Sequence, residues 1–236
     1  MMPTRGRREW AFDAVMCYVH QTYPAKELLI LDDEDDPSFP DPSFLPSGQS
    51  IRYIRGPKLN IPKKRNKLAT IAEGELICHF DSDDWQHPDR IRQQVEFLEA
   101  SGKSIVGFHS LLFARGQEAW RYKGEENAPC GSSFLYTKAL WAEIKFPETV
   151  PIGSDMRLGR HASKIHKLKS CDVGELLVMR VHQFNSSPKQ VQDRTHYRPI
   201  PWTDLPELFR VNYGQTCGPI YASNRVSETA RSAESR

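Results

Sequence analysis

The chain has 236 residues, 39% of them hydrophobic and 26% charged, with a formal net charge of +2. That length can bury a full α/β core with room for an appendage, and a charge so near neutral does not point to a nucleic-acid partner. No apolar run is long enough to span a bilayer, and there is no signal-peptide core.

Residues 8–20 are expected to form an amphipathic helix, with Trp10, Ala14, Cys17 and Tyr18 on one stripe and Phe12, Val15, Met16 and Val19 widening it. Thr22-Tyr23-Pro24 stops it. The apolar run 27–31 reads as a short strand leading into Asp32-Asp33-Glu34-Asp35-Asp36, and 37–48, rich in Pro, Ser and Asp, as a loop. A strand is expected at 50–55. Residues 60–73 open as a basic loop, Pro62-Lys63-Lys64-Arg65-Asn66, and continue as a helix to Gly74. A strand at 75–80 follows, then a helix from Pro88 to Ala100 with Ile91, Val95 and Leu98 inward.

Further on, 104–113 reads as one apolar strand with 118–123 pairing to it, 127–133 as a loop, 134–136 as a short strand and 138–144 as a short helix. A helix at 154–168 and a strand at 175–181 complete the pattern. Polarity rises from about Ser186, and 222–236 has the composition of a disordered tail. Strands alternating with helices in the first half imply βαβ units and a mainly parallel sheet. The five cysteines (Cys17, Cys78, Cys130, Cys171, Cys217) form no CxxC pair, so neither a zinc site nor a disulfide framework is indicated and a reduced cytoplasmic setting is the default.

The most informative stretch is His79-Phe80-Asp81-Ser82-Asp83-Asp84-Trp85, which follows the apolar Leu76-Ile77-Cys78. A strand ending in clustered carboxylates aims them into the crevice at the carboxyl edge of a sheet, where open α/β folds bind ligands. Carboxylates this close repel unless a positive group sits among them. A hard divalent cation that keeps sites for phosphate is a natural partner, and a solvated acidic turn is the plainer alternative.

Pro3-Thr4-Arg5-Gly6-Arg7, Gln21-Thr22-Tyr23, Leu31-Asp32-Asp33, Lys64-Arg65-Asn66, Ala72-Glu73-Gly74-Glu75-Leu76-Ile77 and Asp81-Ser82-Asp83-Asp84 follow one another in an order and spacing that resembles family 2 glycosyltransferases of the GT-A fold. The match is strong over 3–100 and weak over 100–188. The resemblance implies a Rossmann-like, mainly parallel sheet flanked by helices with a smaller mixed acceptor-side region. The domain would span 1–188, with a nucleotide-binding half (1–100) and an acceptor half (101–188), followed by a partly disordered extension at 189–236.

It also implies inverting transfer of a sugar from a nucleotide-diphosphate sugar, UDP-linked most commonly in the family, to an acceptor hydroxyl. A divalent metal, Mn²⁺ or Mg²⁺, would offset charge on the leaving diphosphate. On this reading Asp81 faces the ribose and Asp83 ligates the metal. Asp84 lines the sugar pocket or steadies its neighbours by hydrogen bonding. Thr4 and Asp33 lie where the family contacts base and ribose, with Asp32 as a substitute or assistant, and Arg5 joins them in nucleotide binding. Arg65 lies near base or phosphates, or is simply a solvated charge at a helix start. Asp155, in Pro151-Ile152-Gly153-Ser154-Asp155, is the expected general base, or an ordinary helix N-terminal Asp; Ser154 stands where the family often has Glu. Pro129-Cys130-Gly131-Ser132 resembles the acceptor-side loop, so Gly131 and Ser132 join the sugar pocket, unless this is a plain turn. His182 is a further metal ligand, a diphosphate contact or a structural histidine.

Two departures matter. Only Met1 and Met2 precede Pro3, so the family's central first strand would be absent or very short, and Ser154 replaces the Glu. They support one rival, a degenerate nucleotide-sugar binding module; a sugar nucleotidyltransferase is the other. The implied partners are the sugar donor and a glycan, lipid-linked or protein acceptor, with no nucleic acid and no transmembrane segment. A cytoplasmic enzyme of surface-glycan synthesis, soluble or peripheral at the inner face of a membrane, fits.

Overall fold

The computed structural model describes residues 1–39, 43, 45–187 and 189–213. Three parallel strands, β1 (Met2–Thr4), β2 (Leu28–Asp32) and β3 (Ile51–Arg55), run side by side in the order β1-β2-β3. β2 is buried at every position and its side chains alternate between two cores. Leu28 and Ile30 face Ala11, Ala14 and Val15 of α1 (Arg8–Val19), whereas Leu29 and Leu31 face Leu68 and Ala69 of α2 (Ile61–Ile71). A strand covered on both faces reads as a continuous apolar run, which is how 28–31 appears in the sequence.

β1 is present and central but only three residues long. Its other side meets the strand before the acidic cluster, β4 (Leu76–Cys78): the Met1 nitrogen donates to the Cys78 carbonyl (2.7 Å) and the Phe80 N–H to the Met1 carbonyl (3.0 Å). On the far side of Met1 from the acidic cluster, β2 and β4 part around an apolar cavity of about 660 Å³, walled by Leu28, Leu29, Leu68, Ile77 and Leu98 among others.

The remaining strands form the mixed half. β9 (Cys130–Thr137) lies antiparallel between β4 and β6 (Ile105–Phe108), and β10 (Leu168–Cys171) extends that sheet parallel to β6. A second sheet runs β12-β8-β7-β11-β5, with β5 (Trp85–Gln86), β7 (Ser110–Arg115), β8 (Glu118–Lys123), β11 (Leu177–Arg180) and β12 (Tyr197–Ile200). Helix α3 (Arg90–Ser101) packs on β6 and β9, as do α4 (Lys138–Ile144) and α5 (Ser154–Lys164) on β9. The short α6 (Glu207–Tyr213) brings Phe209 against Trp85.

Several sequence-based boundaries move. The expected strand 104–113 is two strands in different sheets, broken at His109. The register shifts between Val106 and Phe108, where Gly107 lies so close to the Phe134 ring that a Cβ would meet it at 2.8 Å. Residues 130–133 are not a loop but the start of β9, so Gly131 and Ser132 sit in a strand. The basic run 63–65 lies inside α2 rather than before it. Asn60 caps that helix by accepting from Lys63 N, with a proline in the first turn, which starts the helix earlier than the charges suggest. β5, β10, β12 and α6 add to the expected elements. The expected tail at 222–236 falls outside the described residues.

Candidate active site

The carboxyl ends of β1, β2, β4 and β11 converge, and the segments leaving them carry the charged residues. They meet in a pocket of about 240 Å³ whose walls include Arg7, Arg65, Asp81, Asp83, Gly131 and Asp155. Asp84 and Ser132 also line it, while Thr4, Arg5, Asp32 and Asp33 form an adjoining cluster.

Asp83 is the hub. Its side chain is 7% exposed, and both oxygens are engaged: Oδ1 pairs with Arg7 Nη1 (3.1 Å), and Oδ2 meets His182 Nε2 (3.1 Å) and Asn185 Nδ2 (3.3 Å). Burial opposes its charge, but the His182 hydrogen bond and the Arg7 guanidinium outweigh that and hold the carboxyl below the ordinary value. Its neighbour Asp84 goes the other way. Burial first, then Asp83 and Asp81 as like charges, push it well above the carboxylate range, and its Oδ1 accepts the Arg180 N–H (3.1 Å). Two adjacent carboxyls are thus shifted in opposite directions by their surroundings. No three His, Cys, Asp or Glu side chains form a ready-made metal cluster among the described residues.

Across the pocket, Arg65 bridges two carboxylates, Asp81 (Nη2–Oδ1 3.6 Å) and Asp155 (Nη1–Oδ2 3.3 Å), with its guanidinium over the Phe146 ring. Burial would weaken its charge; Asp155 and Asp81 more than compensate and raise its pKa. It is therefore not a solvated helix-start charge. Asp155 is in the first turn of α5, after Gly153 in the left-handed conformation (φ 74°), with its Oδ1 accepting the Met156 N–H (2.8 Å). Gly131 has a specific steric role: a Cβ there would stand 2.3 Å from the Asp155 carboxyl, so only glycine lets that carboxylate lie against β9. The Gly131 carbonyl accepts from His79 Nδ1 (2.6 Å), and that of Ser132 from Arg90 (3.2 Å).

In the adjoining cluster, Asp33 is buried and accepts from Lys64 Nζ, Arg5 Nε (3.2 Å) and Leu59 N–H (2.6 Å). Burial lowers the Lys64 pKa despite that partner. Asp32 accepts from Glu34 N–H (3.1 Å), Ser38 N–H (2.6 Å) and Tyr53 OH (2.8 Å), a loop-holding pattern that uses both oxygens. Thr4 differs: its hydroxyl is buried and has no hydrogen-bond partner among the described residues.

Sequence reasoning assigned no role to Arg7, Lys64 or Asn185. Arg7 and Lys64 sit inside motifs that the resemblance used, but their partners lie 76 and 31 positions away. Asn185 lies in the tract with His182, and a buried carboxylate's need for donors could have pointed to it.

The model for glycosyl transferase family 2 matches residues 1–163. Two uncharacterized glycosyltransferases, from Rickettsia felis and Rickettsia conorii, are each 26% identical over 172 residues, covering 66% of this chain and 28% of their own length. The chain thus spans under a third of those relatives. Among solved structures, S. aureus TarS 1-349 in complex with UDP-GlcNAc superposes with a TM-score of 0.66 at 15% identity, covering 81% of this chain and 61% of that one. Its complex with UDP gives 0.64 at 16% identity, covering 77% and 59%. The mannosyltransferase PcManGT from Pyrobaculum calidifontis, with GDP-Man and Mn²⁺, gives 0.56 at 13%, covering 80% and 56%. At these identities the superpositions establish a shared GT-A fold.

Proposed function

The chain belongs to glycosyl transferase family 2, and from that premise we propose that it transfers a sugar from a nucleotide-diphosphate sugar, UDP-linked in the first instance, to an acceptor hydroxyl. One observation carries this reading: within a single pocket, Asp83 and Asp81 at the end of β4 face Asp155 at the start of α5, with Arg65 between. A donor diphosphate and an attacking hydroxyl need that opposed arrangement for in-line displacement at the anomeric carbon. UDP is favoured because two neighbouring structures hold UDP or UDP-GlcNAc, although another holds GDP-Man.

In this scheme Asp155 takes the acceptor proton as the hydroxyl attacks, and the bond from the anomeric carbon to the diphosphate oxygen breaks with inversion. Arg65 keeps Asp155 in place and presents positive charge to the diphosphate. Asp33 keeps Lys64 and Arg5 beside it.

A divalent metal fits Asp83 and His182. Their carboxylate oxygen and imidazole nitrogen, 3.1 Å apart, are the atoms that would hold it. Such a metal would neutralise charge on the leaving diphosphate.

The test is release of nucleoside diphosphate from a panel of nucleotide sugars, offered with glycan, lipid-linked and protein acceptors. Asp155→Asn should cut turnover by roughly 10²–10⁴-fold while leaving UDP binding intact. Undiminished turnover in that variant would remove Asp155 from the mechanism. Nucleotide binding with no turnover for any acceptor would favour a binding module, for which Ser154 speaks. Pyrophosphate release from a nucleoside triphosphate and a sugar phosphate would favour nucleotidyl transfer.

A further inference from the structure

We propose that Arg7 is a resident counter-ion of Asp83 which a divalent cation must displace, so that cation binding and the seating of the strap 182–187 are coupled. This rests on the reading of Asp83 as a metal-binding carboxylate. Arg7 does two things at once. Its Nη1 pairs with Asp83, and its Nη2 donates to the Phe184 carbonyl (3.1 Å) and the Ser186 hydroxyl (2.9 Å). One guanidinium therefore ties the end of β4 to the strap, and the strap walls the pocket through Asn185, Ser186 and Ser187. Both partners are nearly buried, the Arg7 side chain 10% exposed and that of Asp83 7%. A second cation at the same carboxylate would meet an unscreened like charge within a few ångströms.

The imidazole provides an independent link. The Phe184 N–H donates to His182 Nδ1 (3.2 Å), so Nε2 is the nitrogen that carries the proton toward Asp83. Asn185 Nδ2, 3.0 Å from Nε2, has its two hydrogens for Asp83 and the Arg180 carbonyl. A metal binds an unprotonated nitrogen. Ligation through Nε2 moves the ring proton to Nδ1 and removes the acceptor used by Phe184 N–H. Both changes loosen the same segment, Phe184–Ser186. His182 itself stays anchored because its ring stacks on Trp10 (4.0 Å, 21°), in the first turn of α1.

The test measures Mn²⁺ binding, by the electron paramagnetic resonance of free Mn²⁺, and amide hydrogen exchange of 182–187 in the wild type, Arg7→Gln and Arg7→Lys. In the wild type, Mn²⁺ should speed exchange at Phe184–Ser187 and leave the β4 amides unchanged. Arg7→Gln should bind Mn²⁺ more tightly, by a factor on the order of ten to a hundred, and its strap should already exchange fast without metal. Arg7→Lys keeps the charge but lacks the fork that reaches the strap. It should bind Mn²⁺ near the wild-type affinity yet show the fast strap, and it decides the matter if the Gln variant does not fold. Equal Mn²⁺ affinity in folded wild type and Arg7→Gln, or strap exchange indifferent to Mn²⁺, overturns the coupling. Absence of Mn²⁺ binding in every variant overturns both the coupling and the metal; UDP binding in that case would leave the sugar-donor reading standing.

Discussion

The two ends of the parallel sheet are built on opposite principles. At the carboxyl end the clustered carboxylates Asp32, Asp33, Asp81, Asp83 and Asp84 all have protein partners. At the amino end β2 and β4 flank an apolar cavity of about 660 Å³ beside a three-residue β1. Order at the first end comes from directed bonds between residues far apart in sequence, and at the second from apolar side chains packed around that cavity. Thr4, at the end of β1, and Arg5 and Arg7 just after it carry the first strand into the polar end.

The largest effect on turnover in this comparison should come from breaking the polar end sterically. Gly131→Ala puts a Cβ into the Asp155 carboxyl, and displacing that group should lower turnover by about 100-fold with UDP affinity little changed; equal turnover would show that Asp155 does not need that place. Next, Asp33→Ala leaves Lys64 buried without its counter-ion and should cost about 3–5 kcal/mol, read as a fall in thermal midpoint. Asp83→Asn sharpens the comparison through pH. The Asp83 pKa is lowered in the fold, so its contribution is fully present above the unfolded value of about 3.9 and lost as pH falls through the folded value. The stability gap between wild type and variant should therefore shrink below about pH 4; a gap that persists there would deny the ion pairing. The smallest effect belongs to the apolar end, where Ala69→Leu projects into the cavity and should stabilise by about 0.5–1 kcal/mol in denaturant melts.

Much of the fold was legible because its signals are local. The apolar run 28–31 and the carboxylates after Ile77 each identify their own element, whereas the start of α2 was placed too late because the basic run drew attention from the Asn60 cap. The mixed half was harder for physical reasons. β10 (Leu-Lys-Ser-Cys) has no alternation, and β12 carries Pro199, which a sheet tolerates at an edge. The break at His109 has no turn residue; it adjoins the register shift at Gly107, which lies against Phe134. Within the site, residue types were legible and partners were not. Asp83 stands out in sequence, but its pairing with Arg7 depends on β1 lying beside β4, and its contact with His182 on the end of β11 arriving beside both.

The most direct measurement is calorimetric titration of UDP into the purified protein, with and without Mn²⁺, beside Asp83→Ala. If the acidic cluster is the donor site, wild type binds UDP tightly only with Mn²⁺, and the variant loses that dependence along with most of the affinity. Equal UDP binding by wild type and folded Asp83→Ala, with or without Mn²⁺, would contradict the assignment of Asp83 to a metal-assisted donor site.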